Sequence, residues 1–208
     1  MDSGGLVEER ERLLYYKDAI ARAEVEYRKN NENAEALTQW GVGLFEIAHF
    51  HQGAEALDLI HEAVQKLEMA LAINPRKHDT LWFLGNALTS QGFLYPDTDK
   101  AMAFFKKAEE CYKRAVDEEP NNEIYARSLQ LTKKAPELHK DVQRQLAAQA
   151  AAQKSANESA KVAAAQRAGR RAGEGQNADS DFFFDLGGWI ILGALATGWV
   201  ALARHALQ

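Results

Sequence analysis

The chain states one motif twice, and the distance between the two statements constrains the fold more than any other feature. Leu37-x2-Trp40-Gly41-x2-Leu44 leads to Ala63-x3-Leu67-x2-Ala70 and then to Asn74-Pro75. Leu81-x2-Leu84-Gly85-x2-Leu88 leads to Ala108-x3-Tyr112-x2-Ala115 and then to Glu119-Pro120. The glycines lie 44 positions apart, while the alanines, the large residues between them and the prolines all lie 45 apart. In each copy the first block sets apolar residues at i, i+3 and i+7, with Gly at i+4, on one stripe of a helix. A helical Gly costs about 1 kcal/mol against Ala, which is tolerated where a second helix must come close. The Ala-x3-large-x2-Ala block supplies that second helix, its small residues admitting the partner's backbone and its large residue filling the gap. Pro after the last turn cannot continue the helix and sets its exit.

This is the paired-helix logic of tetratricopeptide repeats, whose period is about 34 residues. Each copy here is longer by about 10 residues than that period, with the excess in Ala48–Leu57 and Ser90–Lys100. Either the helix pair is lengthened or its turn opens into a loop. The expected architecture is all-α: a stack of two extended repeats with capping helices, followed by a C-terminal transmembrane helix. Two repeats fall short of the three or so that a bare array needs, so caps at both ends are a requirement. From Leu6 to about Lys29, Leu13, Leu14, Ile20, Ala23 and Tyr27 recur at helical spacing, and Ala23-x3-Tyr27 echoes the second half of the motif. That segment is the leading cap. Asp97 reads as an N-cap. A further helix is expected from Glu123 to about Ala135, and Pro136 suits the first turn of another that covers the last repeat to Leu146.

The composition agrees. With 46% hydrophobic residues and four Pro in 208, the chain favours helix nearly throughout. No stretch alternates with a period of two, as a half-buried strand would. A lone Cys111 allows no internal disulfide and suits a reducing compartment; it reads as a small buried hydrophobe. The net charge of −5 is unevenly spread, since Glu35–Asn74 holds six acids and one Lys. That acidic surface argues against nucleic acid and admits a basic ligand. Glu8, Glu9 and Glu11, with no apolar core among them, argue against an N-terminal targeting leader.

Beyond the repeat domain, residues 1–146, the chain changes character. Residues 147–181 are rich in Ala, Gln and Lys, with Val162 the one large apolar residue from Ala147 to Ala178. They read as a flexible tether, its Ala-rich half helical in part. Leu186–Ala203 is then 18 residues without a charge. At about 1.5 Å per residue such a helix spans roughly 27 Å, close to a hydrocarbon core of about 30 Å. Trp189 and Trp199 lie near its ends, where indoles favour the interface, around Ile190, Ile191, Leu192, Gly193 and Gly198. Residues 182–204 are thus expected to be a membrane tail anchor, with 205–208 a short far-side tail and the folded domain on the cytosolic side. Ala194-x3-Gly198 would let another membrane helix approach.

Chemistry is not evident. His49, His51 and His61 match no standard zinc spacing, no phosphate-binding Gly-rich loop or nucleophile elbow is present, and neither cofactor nor metal is expected. What remains is a binding surface. First helices line the inner face of such a stack. Counting from the glycines, its inward positions are Glu35, Thr38, Val42, Phe45 and Glu46 in the first repeat, and Asp79, Trp82, Asn86, Thr89 and Ser90 in the second. Apolar residues beside carboxylates suit an amphipathic helix with Arg and Lys on one face. Apolar contacts would supply most of the affinity, and the acids would raise the association rate and select positive ligands.

At this point the residues resemble a known family. LTQWGVGLFEIAHF, EAVQKLEMALAINPRKHDTLWFLGNALTSQGFLYPD, RAVDEEPNN, KKAPELH and the C-terminal GGWIILGALATGWVA resemble the plant-type presequence receptor of the mitochondrial outer-membrane translocase, the TOM complex. The resemblance covers about Leu13–Gln145 and the anchor, and includes the lengthened repeats. It implies a cytosol-facing receptor that binds basic amphipathic presequences and passes precursors to the translocation channel, with the other translocase subunits as partners and a single C-terminal span in the mitochondrial outer membrane. Two other readings compete with it. A tail-anchored adaptor of the mitochondrial-fission type would recruit a folded cytosolic protein. A chaperone-tail clamp would need Lys and Arg at the inward positions, which show none.

Overall fold

The computed structural model describes the backbone of residues 3–171 and the side chains of residues 7–165. Among these residues the elements are seven helices: α1 (Ser3–Lys29), α2 (Ala34–Ala48), α3 (Gly53–Ile73), α4 (His78–Leu94), α5 (Thr98–Glu118), α6 (Glu123–Thr132) and α7 (Ala135–Arg171). The all-α stack is as expected. The transmembrane part of the expectation, including Trp189, Ile190, Ile191, Leu192, Gly193, Gly198 and Trp199, lies outside the described residues. No helix among those described is long and apolar enough to cross a membrane.

Each motif copy forms one antiparallel pair, α2 with α3 and α4 with α5. The glycines sit where the pair closes. A Cβ on Gly41 would stand 2.7 Å from Leu67 Cγ and 3.0 Å from the Ala63 carbonyl oxygen, and one on Gly85 would meet the Tyr112 ring at 2.6 Å. These are contacts that a methyl group does not make, so the small residue is required. The extra length lies in the helices: α3 and α5 each run 21 residues, and the connections are only 49–52 and 95–97.

Helix ends follow local chemistry. The side chains of Asn33, Asp97 and Asn122 accept backbone N–H bonds at the starts of α2, α5 and α6, satisfying donors that a helix start leaves open. α3 and α5 both stop one residue before Asn74-Pro75 and Glu119-Pro120. Pro136 stands in the first turn of α7, where its missing N–H costs nothing.

The core is continuous through the stack, from Leu44 and Leu67 to Leu81, Leu88, Tyr112 and Tyr125. Both ends are closed. Ala23 of α1 is buried, Tyr27 lies edge-on to Trp40, and Gly43 admits Ile20. At the other end α7 covers the α4–α5 turn: Ala135 and His139 are fully buried, and His139 Nε2 stands 2.9 Å from the Tyr95 carbonyl oxygen. Its ring lies against Phe93 and Phe105. Beyond that cap α7 continues as helix to Arg171, through the Ala-rich part of the stretch expected as a tether, with every side chain from 147 to 165 exposed.

Candidate functional site

The first helices of the pairs carry equivalent positions 44 apart, and burial together with packing partners sorts those positions into two sets. Glu35, Gln39, Val42 and Glu46 of α2 are exposed or half-buried, as are Asp79, Phe83, Asn86 and Ser90 of α4, half-buried throughout. The spacing i, i+4, i+7, i+11 puts each set on one stripe of its helix. Val42 and Phe83 lie over the main core, so the stripes have an apolar floor between polar neighbours. On α2, Gly41 on one side of Val42 meets α3 and Gly43 on the other meets α1. The stripe is what the neighbours leave open.

The second set is taken up by packing instead. Thr38 is buried, and its Oγ1 stands 2.7 Å from Thr80 Oγ1, joining α2 to α4. Its repeat equivalent, Trp82, is half-buried and donates from Nε1 to Ser128 Oγ of α6 at 2.9 Å, with its ring beside Tyr125. Phe45 is buried in the main core. Thr89 is fully buried; it donates to the Gly85 carbonyl and lies 3.5 Å from the Tyr112 hydroxyl. Of the inward positions expected from sequence, then, Glu35, Val42, Glu46, Asp79, Asn86 and Ser90 lie on the open stripes. Thr38, Phe45 and Thr89 are interior, and Trp82 belongs to the α4–α6 joint. Gln39 and Phe83 complete the stripes and were not among the expected residues.

At one end of this face a single cation is shared by two acids. Lys77 Nζ lies 2.8 Å from Glu35 Oε2 and 2.6 Å from Asp79 Oδ2, and Gln39 Nε2 donates to Glu35 Oε1 at 2.9 Å. Burial works against the Lys77 ammonium, but hydrogen bonds and charge from Asp79 and Glu35 outweigh it and hold its pKa above the ordinary lysine value. Burial likewise works against the Asp79 carboxylate, and Lys77 with the Thr80 N–H still brings its pKa below the ordinary aspartate value. Asn86 is fixed by the Tyr112 hydroxyl, which donates to its Oδ1 at 2.7 Å. At the opposite end Phe50 closes the α2 stripe, beneath the Arg12 guanidinium of α1 at 5.6 Å.

The histidines of the first repeat have separate surroundings. His51 Nδ1 is 3.0 Å from Glu55, His61 pairs with Gln65, and the His49 ring packs against Phe45. Cys111 is buried, and burial raises its thiol pKa to about 11, which keeps it protonated and unreactive at neutral pH.

Comparison with known proteins bears on the same segments. The model of a family described as plant specific mitochondrial import receptor subunit TOM20 matches residues 10–204, a span that includes the apolar C-terminal stretch. Three relatives from Arabidopsis thaliana are similar over nearly the whole chain. Mitochondrial import receptor subunit TOM20-4 is 39% identical over 196 residues, 94% of this chain and 93% of the relative. Subunit TOM20-3 is 35% identical over 194 residues, 93% and 92% of the two chains. Subunit TOM20-2 is 42% identical over 194 residues, again 93% and 92%.

Proposed function

The chain belongs to the plant-specific TOM20 family of mitochondrial import receptor subunits, and from that membership we propose that the open α2–α4 face takes up the basic, amphipathic N-terminal presequences of precursor proteins. As a receptor subunit of the translocase it handles precursors and is not an enzyme; the fission-adaptor reading gives way to this one. The observation that carries the site is the pair of matched stripes, Glu35–Gln39–Val42–Glu46 and Asp79–Phe83–Asn86–Ser90, which the packing of α1, α3, α5 and α6 leaves exposed or half-buried. Val42 and Phe83 offer the apolar floor that the greasy side of a ligand helix needs, and the polar residues beside them meet its wet side. Residues 182–204 anchor the chain in the mitochondrial outer membrane by a single span, with the repeat domain facing the cytosol and 147–181 between them. The span is apolar over Leu186–Ala203, and the family match runs through it.

Binding is weak, with Kd in the micromolar range or above, about −8 kcal/mol or less favourable, because a receptor has to release its cargo. The test is photocrosslinking on the full-length protein in lipid nanodiscs. A benzophenone amino acid at Gln39 or Phe83 is expected to capture a presequence peptide, and one at Met69 or Ile73 on the outer side of α3 is not. Capture from α3 with none from α2 and α4 would move the site elsewhere.

A further inference from the structure

Three equivalent positions precede the first helix of each unit: Asn33, Lys77 and Asn122. Two follow the local rule. Asn33 accepts from the Ala36 N–H, and Asn122 accepts from the Ile124 and Tyr125 N–H groups. Lys77 makes no side-chain cap at all. Asp79 takes over part of that role by accepting the Thr80 N–H at 2.7 Å, so Lys77 departs from its two equivalents, and such breaks of local consistency concentrate at functional positions. The Lys77 side chain, only 15% exposed, turns instead to Glu35 and Asp79. Those two are the equivalent first-turn acids of α2 and α4, and they stand on the open stripes at the end where a cationic ligand would find paired carboxylates.

We propose that Lys77 is a specificity-determining residue, a built-in counter-ion that occupies the Glu35–Asp79 pair so that this end of the receptor face does not engage the ligand's cations. This rests on the placement of the presequence site on α2 and α4. A tethered ammonium competes with an incoming one at a high effective concentration. A ligand must either displace it or place its basic residues elsewhere. Both outcomes weaken charge-driven capture of any polycation and leave the choice of ligand to the apolar floor at Val42 and Phe83.

The experiment compares two helical peptides of one sequence on the full-length protein in nanodiscs. One carries arginine along its polar face, and the other carries citrulline, which keeps the shape and loses the charge. For the wild type the arginine peptide is expected to bind only slightly more tightly than the citrulline peptide. Lys77→Gln releases two carboxylates, and the preference for arginine is expected to rise about five- to tenfold at low salt, as two partly exposed ion pairs allow, and to fall again as salt screens them. Lys77→Arg keeps the charge and is expected to keep the wild-type preference. A purely structural lysine would change affinity for both peptides alike. An unchanged arginine-to-citrulline ratio in Lys77→Gln, with crosslinks at Gln39 and Phe83 intact, overturns the counter-ion role alone. Loss of those crosslinks already in the wild type overturns the site, and this inference with it.

Discussion

Adding one methyl group at Gly41 or Gly85 tests the central packing statement. On an exposed helix a Gly→Ala change stabilises by about 1 kcal/mol, so a pure propensity argument expects both variants to gain. The structure expects both to lose. At Gly41 the new Cβ would stand 2.7 Å from Leu67 Cγ and 3.0 Å from a backbone carbonyl, and Leu67 is fully buried with no room to turn aside. Overpacking of this kind costs about 1–3 kcal/mol, leaving a net loss of up to about 2 kcal/mol once propensity is subtracted. At Gly85 three atoms of the Tyr112 ring lie within 3 Å of the new methyl. A ring does not bend, and its hydroxyl is held by Asn86, so the loss there is expected at the upper end of that range, about 2 kcal/mol net. Urea unfolding of the full-length protein in detergent, followed by far-ultraviolet circular dichroism, reads both. Leu67→Ala alone is expected to cost about 2–5 kcal/mol. Combined with Gly41→Ala it should cost less than the sum by about 1–2 kcal/mol, because the added methyl enters the space that Leu67 vacates. A stabilised Gly41→Ala, or strict additivity in the double variant, would refute the reasoning that the glycine exists to let α3 approach.

Other parts of the structure give further expected outcomes. Thr38→Val removes the buried hydroxyl contact with Thr80 and leaves Thr80 without that partner, so unfolding should show a loss of about 1–2 kcal/mol, while the Thr38→Val/Thr80→Val pair loses less than twice as much. Asp79 titrates below the ordinary aspartate value in the folded chain because of Lys77 and the Thr80 N–H, against the opposing push of burial. Its contribution is therefore fully present above about pH 4 and is lost as pH falls from there through the folded value. In that acid window the melting temperature of the wild type should fall more steeply than that of Asp79→Asn. Trp82→Phe keeps an aromatic ring but loses the bond to Ser128, and is expected to weaken the α4–α6 joint by about 1 kcal/mol in the same urea assay. Single polar substitutions at exposed Ala150 or Ala151 of α7 should shift unfolding by less than about 0.5 kcal/mol; a larger loss would mean that this part of the helix is packed against something.

Much of the scaffold was legible in the residues. The repeated Gly and Ala spacing marked α2 to α5 because close helix approach demands small residues at fixed intervals. Asp97 marked a helix start and Pro136 the opening of α7, because capping and the missing proline N–H are local matters. The fate of the extra ten or so residues per repeat was not legible. Segments such as Ser90–Lys100 contain both helix formers and turn residues, and only packing decides between a longer helix and a longer loop. Here Gly92 admits Phe105 and carries α4 through to Leu94. The Ala-rich run after Leu146 posed the same question with less information: propensity favours helix, and no apolar stripe announces it.

The open stripes of α2 and α4 were partly legible, and the packing says why Thr38, Phe45, Trp82 and Thr89 do not lie on them. Sequence periodicity finds the side of a helix that avoids its own partner, but it does not say where the following helix docks. The positions three before each glycine, Thr38 and Trp82, point toward the next unit, while those four after, Phe45 and Thr89, turn into the core. Thr38 and Trp82 fill joints with Thr80 and Ser128, and Thr89 lies against Tyr112 of its own partner helix. Positions two before and one after, Gln39 with Val42 and Phe83 with Asn86, escape that docking. The offset is a rotation of well under half a turn, smaller than the apolar stripe itself. Lys77 was invisible for a different reason: it lies in the turn between repeats, and its role appears only when Glu35 of one helix and Asp79 of the next are brought to the same place. A pattern within one helix cannot encode that meeting. The alignment of the three cap positions singles Lys77 out, since it alone among them lacks the amide that the local chemistry asks for, but it does not name its partners.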